Sequence, residues 1–433
     1  MNNSRIQSTL LVDDVAQVQH GNLALSDMLA TYQERFEAIE PQIASFIPED
    51  NRFERLMNEA KALESSYPDA ENRPPLYGAL VGIKDIFHTD GFVTHAGTKL
   101  PPELFAGAEA AVVTKLKQVG ALIVGKTVTT EFAFSEPGPT RNPHNLEHTP
   151  GGSSSGSAAA VAAGLLHLAT GTQTVGSVIR PAAYCGTVGY KPSFDRINTG
   201  GLVYFSRSAD HVGLFTQDVA GMHLVASIVL NHWDNHVTVS EKPVFAIPEG
   251  AYLQQASALE AFEAQVQQLQ SAGYTVKRLS AFADIANITE LHTDMIAAEF
   301  VQEHAAWFKQ YEGQYRPRTL EMILRGQSVS DERLQAGRDN RLKLRDRLHN
   351  LMRENGVDAW ICPPAPDIAP HGIASTGNAA MNLPWTHSGL PALTVPAGIG
   401  DKDLPLGLQI CAKFGDDERL LAWASDIESV LAV

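Results

Sequence analysis

The amino-acid sequence predicts an α/β protein, because patterns typical of buried strands alternate with helical patterns along the chain. Residues 121–126 (ALIVGK) form a short apolar run typical of a buried strand, and a helical pattern over residues 108–119 comes directly before it. A second strand-like run, LYGALVGIKDIF, spans residues 76–87. Hydrophobic residues make up 44% and charged residues 19% of the 433 residues, which is typical of a globular protein with a large core.

The other elements are predicted from hydrophobic spacing and turn residues. Residues 1–20 show only weak patterning, whereas apolar residues such as Leu29 and Phe36 predict a helix over 22–40. A second helix is predicted over 53–66. In the C-terminal half the patterns predict strands at 244–247 and 274–280, and helices over 257–271, 288–311 and 332–355.

The most informative stretch is residues 151–181, GGSSSGSAAAVAAGLLHLATGTQTVGSVIRP, which contains two Gly/Ser turns. Ser153 and Ser177 occupy corresponding places in these turns, and the segment between them, residues 157–169, favours a helix. Glycine leaves backbone N–H groups accessible, and a helix N-terminus favours negative charge, so this stretch suits a site where an oxyanion develops. The alternative is a flexible linker, but a linker does not explain a second Gly/Ser turn one helix-length later.

Lys84 lies inside the apolar run 76–87, where a lysine is costly unless it is paired or has a function. Desolvation lowers the pKa of a buried lysine and allows the neutral amine to act as a base. The alternative is a structural lysine that Asp85 or a position at the surface rim satisfies.

Lys84, Ser153 and Ser177, in this order and spacing, resemble the amidase signature family. The resemblance rests on VGIKDIF around Lys84, GGSSSGSAAAVAAG at 151–164 and GTQTVGSVIRPAAYCGTVGYKPS at 171–193. It continues in three further stretches and covers most of residues 22–230 and 355–433; those stretches are 120–134, 382–398 and 404–421. The resemblance implies an α/β/α sandwich around a large mixed β-sheet.

The resemblance also implies the roles of the site residues. Ser177 matches the nucleophile, Ser153 matches the bridging serine that follows a cis peptide bond, and Lys84 matches the base. Neutral Lys84 would take a proton from Ser153 while Ser153 takes one from Ser177, which attacks the acyl carbon. The oxyanion would be held by backbone N–H groups of Thr174, Val175, Gly176 and Ser177. Ala133 matches a position where the family's backbone approaches the substrate, and no metal or cofactor is implied.

The second turn departs from the common family pattern GTDTGGSIR. Gln173 replaces Asp, Val175 replaces Gly, and Ile179 stands where Arg is usual, with Arg180 displaced by one position. We interpret the loss of Asp and Arg as exchange of a charged structural pair for a neutral arrangement. Val175 has a Cβ that would resist a positive φ, and we expect it to narrow the acyl pocket.

Charge and composition exclude several classes of partner. A net charge of −16 argues against nucleic acid as the main partner. The chain shows no signal-peptide pattern and no run of 18 apolar residues, so we expect a cytoplasmic enzyme that does not bind membranes. The three cysteines are widely spaced and predict no disulfide framework. A homodimer remains open.

We expect one domain over residues 1–433, with a core of about 75–230 and 355–433 and N-terminal helices within 22–66. Residues of about 235–355 show the least family pattern and are predicted to be a variable insertion at the substrate entrance. Aromatic residues at helical spacing in this insertion would line the entrance or, as is more common, pack in the core; they are Trp307, Phe308, Tyr311 and Tyr315.

Together these features predict an amidase that hydrolyses the C–N bond of a small carboxamide or anilide through a Ser177 acyl-enzyme. One alternative is an esterase or carbamate hydrolase, because these acyl groups pass through the same tetrahedral chemistry. A second is the glutamine-hydrolysing subunit of a tRNA-dependent amidotransferase, which would form a stable hetero-complex. A third is a non-catalytic binding module, which the presence of Lys84, Ser153 and Ser177 disfavours.

Overall fold

The structure, a computed structural model, describes residues 4–239 and 241–432; residues 1–3, Ser240 and Val433 lie outside the described part of the chain. Ten strands form one sheet in the order β2-β1-β3-β5-β4-β9-β10-β8-β6-β7. In chain order they are β1 (Leu80–Lys84), β2 (Leu122–Thr127), β3 (Leu168–Gln173), β4 (Val188–Lys191), β5 (His211–Thr216), β6 (Phe245–Pro248), β7 (Val276–Leu279), β8 (Ala359–Cys362), β9 (Ala392–Ile399) and β10 (Pro405–Ala412).

The helices surround this sheet. In chain order they are α1 (Leu11–Gln19), α2 (Leu25–Ile43), α3 (Arg52–Ser66), α4 (Ala111–Gln118), α5 (Ser155–Ala162), α6 (Ile179–Cys185), α7 (Val219–Val229), α8 (Leu259–Ser271), α9 (Ile285–Tyr311), α10 (Pro317–Gln327), α11 (Asp331–Glu354), α12 (Leu383–Ser388) and α13 (Asp417–Leu431).

The sheet is mixed, as predicted. Strand β1 runs parallel to both β2 and β3, the central strands pair antiparallel, and β6 runs parallel to β7 and β8. Side chains of β1 alternate between two hydrophobic cores: Leu80 packs with α2, α3 and α5, and Val81 packs with α4 and α7 on the other face. Helices therefore cover both faces, which confirms the predicted α/β/α sandwich.

The segment between the two serine turns differs from the sequence prediction. The predicted helix over 157–169 ends at Ala162, Gly164 adopts a φ of +66°, and residues 168–173 form β3. The reason is tertiary: β3 lies between β1 and β5, where a buried strand supplies ladder hydrogen bonds to both neighbours. Five helices were not predicted, namely α1, α6, α7, α10 and α12. The predicted helices that match α2, α3, α4, α8, α9 and α11 lie within a few residues of the observed bounds.

The segment of about 235–355, predicted as an insertion, contributes strands to the sheet as well as helices around it. It supplies the adjacent strands β6 and β7 at one edge of the sheet, together with helices α8 to α11. Helix α9 passes beside the turn that contains Ser177, and His292 of α9 contacts Thr174 of that turn. None of the helices in residues 4–239 and 241–432 is long and apolar enough to cross a membrane.

Candidate active site

Lys84 occupies the last position of β1, and strand pairing fixes where its side chain lies. Strand β1 runs parallel to β3, with Gly82 opposite Ala169. Because parallel strands end at the same edge, Lys84 reaches the end of β3. There its Nζ lies 2.8 Å from Thr172 Oγ1 and 3.5 Å from the Thr172 carbonyl oxygen. The backbone N–H of Lys84 donates to Thr170 Oγ1 at 3.1 Å, which ties the end of β1 to β3.

The Lys84 side chain is fully buried and forms no ion pair with another described residue. Desolvation lowers the pKa of Lys84 well below its ordinary value of 10.5, although the charge of Asp210 opposes this shift. Asp210 is itself buried, and burial raises its pKa to about 6 despite the hydrogen bond that Thr174 Oγ1 donates to it. Burial therefore favours the neutral form of the Lys84 amine.

Ser153 lies directly against this amine, with its Oγ 2.7 Å from Lys84 Nζ. The peptide bond between Gly152 and Ser153 is cis, as the family resemblance implied. Helix α5 begins two residues later and is held close to the neighbouring backbone at Gly156, where a Cβ would lie 2.1 Å from the Ser45 carbonyl oxygen. Only glycine fits at this contact, so the position of the serine turn depends on it.

Ser177 lies in the turn between β3 and α6, and this turn contacts the first serine turn. The backbone N–H of Ser154 donates to the Ser177 carbonyl oxygen at 3.4 Å. Val175 does not adopt a positive φ, so its β-branched side chain fits this turn without the expected strain. Four consecutive backbone N–H groups in this turn donate no hydrogen bond to another described residue. They belong to Thr174, Val175, Gly176 and Ser177.

These four residues line an open pocket with a cavity volume of about 150 Å³. Ala133, which has a left-handed φ of 59°, lines the same pocket, and Ile296 of α9 forms part of its wall. Most of the remaining wall is apolar or small, and no acidic side chain of the described residues lines it. The four aromatic residues, for which entrance and core were both left open, do not line this pocket. Trp307 packs against Phe105 at the core, which is the more common of the two alternatives.

Gln173 holds the Ser177 turn in place with a neutral side chain. Its Oε1 accepts hydrogen bonds from the backbone N–H groups of Val178 (2.9 Å) and Ile179 (3.0 Å), at the start of α6. Its Nε2 donates to Thr386 Oγ1 at 2.9 Å, and the Thr386 hydroxyl donates to the Val175 carbonyl oxygen. Gln173 therefore caps the start of α6 with a neutral amide, while the exchange of a charged pair stays an interpretation.

We expect Gln173→Leu to lower the free energy of unfolding by about 2–4 kcal/mol, because it leaves two buried N–H groups without acceptors. The measurement is urea-induced unfolding followed by circular dichroism. Gln265→Leu is the matched control, since Gln265 is also buried but makes a single side-chain hydrogen bond, to the Ala397 carbonyl oxygen. An equal decrease in the free energy of unfolding in both variants would contradict the role of Gln173 in holding the Ser177 turn.

Thr174 is held from the other side by two buried histidines. His292 Nε2 lies 3.0 Å from the Thr174 carbonyl oxygen, and His292 Nδ1 lies 3.0 Å from His387 Nδ1. Burial lowers the pKa of His292 to about 4 and that of His387 to about 2, so both are neutral at pH 7. A carbonyl only accepts, so the single proton of His292 is on Nε2, and His387 Nδ1–H donates to His292. The unprotonated His387 Nε2 then accepts from the side-chain amide of Asn340, whose nitrogen must be the atom that faces it.

Sequence reasoning missed Thr172 and His292 and assigned Asp210 only to loop geometry. Thr172 lies in the same motif as Ser177, at the end of β3. Because β3 runs parallel to β1, the position of Thr172 at the end of this strand is the signal that could have placed it beside Lys84. His292 had no such signal, because it comes from a helix more than 100 residues away along the chain. In the described part of the chain, no cluster of three or more His, Cys, Asp or Glu side chains is arranged to bind a metal ion.

Comparison with known proteins gives consistent matches over nearly the whole chain. A glutamyl-tRNA(Gln) amidotransferase subunit from Synechococcus sp. (strain RCC307) is 30% identical over 92% of this chain and 93% of that protein. The protein of the same name from Exiguobacterium sp. (strain ATCC BAA-1283 / AT1b) is 28% identical, over 95% of each chain. A solved structure described as an amidase has a TM-score of 0.89 and 29% identity, covering 98% of this chain and 100% of that one.

The model of the Amidase family matches residues 27–421. This match includes both serine turns, the strand that ends at Lys84 and the C-terminal strands of the sheet. The chain therefore belongs to the amidase signature family and is a hydrolase of the kind that acts on C–N amide bonds.

Proposed function

We propose that this chain hydrolyses a small carboxamide through an acyl-enzyme on Ser177, with Ser153 and neutral Lys84 as the proton relay. The observation that carries the proposal is the fully buried Lys84 amine, 2.7 Å from Ser153 Oγ. A lysine that has no carboxylate partner and a lowered pKa has the properties of a general base.

The hydrogen-bond geometry around Lys84 supports a lone pair directed at Ser153. A neutral amine has two N–H donors and one lone pair. Both oxygens of Thr172 are acceptors for the two donors, at 2.8 and 3.5 Å. The lone pair is then free to accept the Ser153 hydroxyl proton, which leaves Ser153 Oγ able to accept the proton of Ser177.

In the proposed reaction the Ser177 oxygen forms a bond to the acyl carbon as its proton passes to Ser153 and the Ser153 proton passes to Lys84. The tetrahedral oxyanion accepts hydrogen bonds from N–H groups of residues 174–177, which are otherwise unused and line the pocket. Collapse breaks the C–N bond, and the relay returns a proton to the amine that leaves. Water then attacks the acyl-enzyme by the same path and releases the acid.

The cavity volume of about 150 Å³ and the mostly apolar wall support a small acyl group. The test is to assay purified protein against amides, anilides, esters and carbamates of short acids. Treatment with a fluorophosphonate and mass mapping of the modified peptide follow. We expect amide turnover and a label on Ser177; the absence of both, or a label on another serine, would contradict the proposal. Faster turnover of esters or carbamates than of every amide would favour the esterase alternative.

We expect Thr172→Val to lower kcat about tenfold, because it removes an acceptor that orients the Lys84 amine. Thr172→Ser, which keeps the hydroxyl, should retain most of the activity. Steady-state kinetics on the best amide of the panel measures both variants. Equal kcat values for Thr172→Val and wild type would show that the amine is oriented without this hydroxyl.

A second candidate function is glutamine hydrolysis for an amidotransferase, because relatives at 28–30% identity carry that name. The pocket argues against it. Glutamine carries both a carboxylate and an ammonium group, and no acidic side chain of the described residues lines the pocket to bind the ammonium. Ammonia release from glutamine faster than from simple amides, together with a stable hetero-complex, would favour this candidate.

A further inference from the structure

Arg180 is a buried cation in the wall of the pocket that contains Ser177. Its side chain is 6% exposed, and both residues line the pocket. Arg180 follows Ser177 by three residues, and its backbone N–H donates to the Gly176 carbonyl oxygen at 3.1 Å in a helical hydrogen bond. Residues three apart on such a turn project to the same side, so the guanidinium and the proposed nucleophile share one cavity.

The guanidinium contacts only neutral acceptors. Nη1 donates to the Gly377 carbonyl oxygen at 3.0 Å, and Nη2 donates to the Gly152 carbonyl oxygen at 2.5 Å and to Thr376 Oγ1 at 3.2 Å. Nε is buried and has no hydrogen-bond partner. Across residues 4–239 and 241–432 no carboxylate forms an ion pair with Arg180.

A buried charge without a counter-ion is costly, and it is retained where it has a function. Burial lowers the pKa of Arg180 to about 10, so the side chain is still charged at neutral pH. No other charged side chain lines the described pocket. The wall of the cavity therefore holds one positive charge among mostly apolar or small side chains.

We propose that Arg180 binds a carboxylate of the substrate, so that the preferred substrate is a small amide with a carboxylate group near the scissile carbonyl. A carboxylate matches the planar guanidinium and supplies the missing counter-ion. This inference rests on the proposed function, since it assigns the substrate class of the same site. The carboxylate can belong to the acyl group or to the amine that leaves.

The competing explanation is that Arg180 only supports the backbone. In that case the guanidinium only holds the carbonyl groups of Gly152 and Gly377, and a negative charge on the substrate does not raise kcat/KM. The two explanations differ in the ratio of kcat/KM between substrates that have the same shape and differ only in charge.

Two substrate pairs measure this ratio. Succinamate and butyramide differ by a carboxylate on the acyl side, and N-acetylglycine and N-ethylacetamide differ by a carboxylate on the amine side. We expect the wild type to prefer the charged member of one pair by at least about 100-fold in kcat/KM, and the favoured pair identifies the side. Equal kcat/KM values within both pairs would overturn the inference.

Variants at Arg180 test the cause of the preference. Arg180→Gln should bring the ratio close to one, and Arg180→Lys, which keeps the charge but lacks the planar fork, should give an intermediate ratio. If Arg180→Gln lowers kcat/KM by the same factor for both members of the favoured pair, the inference is overturned, because this is the result expected if Arg180 only supports the backbone.

A binding measurement keeps the inference separate from catalysis. Calorimetric titration of the Ser177→Ala protein with the charged member of each pair should give saturable binding of one of them, and Arg180→Gln in the same background should weaken it at least about tenfold. Unchanged binding would overturn the carboxylate site. A wild type that hydrolyses no amide would overturn the proposed function alone, because this titration needs no turnover. If Arg180→Gln does not fold, the ratios in the wild type decide.

Discussion

Ser177→Ala should lower kcat/KM on the best amide at least about 10⁴-fold, while the protein remains folded. The proposed reaction needs the Ser177 oxygen to form the covalent bond to the acyl carbon, and alanine has no group to replace it. The oxyanion N–H groups and the pocket remain, so weak residual activity above the uncatalysed rate is expected. Steady-state kinetics with a discontinuous amine assay measures this loss.

The control for this variant is Ser227→Ala, which removes a partly buried hydroxyl on α7, outside the pocket. It should retain wild-type kinetics, and circular dichroism should show the same thermal transition for Ser177→Ala and the wild type. Activity of Ser177→Ala above a few per cent of wild type would identify a different nucleophile.

Lys84→Met should abolish measurable amide turnover and raise the free energy of unfolding at pH 7 by about 1–2 kcal/mol. Methionine has a similar length but needs no hydration, so the cost of burying the amine disappears together with the base. Buried Lys126 is the matched contrast, because its Nζ pairs with Asp85 Oδ1 at 3.0 Å. Lys126→Met leaves that carboxylate unpaired and should destabilise the fold by about 3–5 kcal/mol.

The pH dependence of Lys84 has a definite sign in both activity and stability. Activity should rise with pH through the lowered pKa of Lys84, because only the neutral amine accepts a proton. Between that pKa and 10.5 the Lys84 amine is protonated in the unfolded chain and neutral in the folded chain. The free energy of unfolding of the wild type therefore rises with pH over this interval. Urea unfolding at several pH values should show a shallower rise for Lys84→Met. Equal slopes would mean that Lys84 is charged in the native protein.

The sequence predicted the features that local chemistry controls. The strand that ends at Lys84 could be predicted because apolar residues surround it, and both serine turns could be predicted because glycine and serine concentrate there. Helix α5 was predicted too long, since residues 168–169 suit either a helix or a buried strand when pairing partners are unknown.

The parts that sequence could not provide depend on contacts between distant segments. Arg180 was noticed as a displaced family residue, but its lack of a carboxylate partner depends on which side chains the fold brings near it. His292 reaches Thr174 only because α9 crosses the site. The single-domain boundaries, the cytoplasmic location and the possibility of a homodimer stay predictions.

Helix α9 makes the shape of the pocket separable from the proposed chemistry. The proposed reacting groups lie at the end of β1, in the turn before α5 and in the turn between β3 and α6, whereas Ile296 on α9 supplies an apolar surface of the pocket. Because α9 belongs to a segment that crosses the site without providing a reacting group, exchanges at Ile296 can reshape the cavity and leave bond cleavage intact. Evolution or design that changes the size of this pocket therefore has a place to act outside both serine turns.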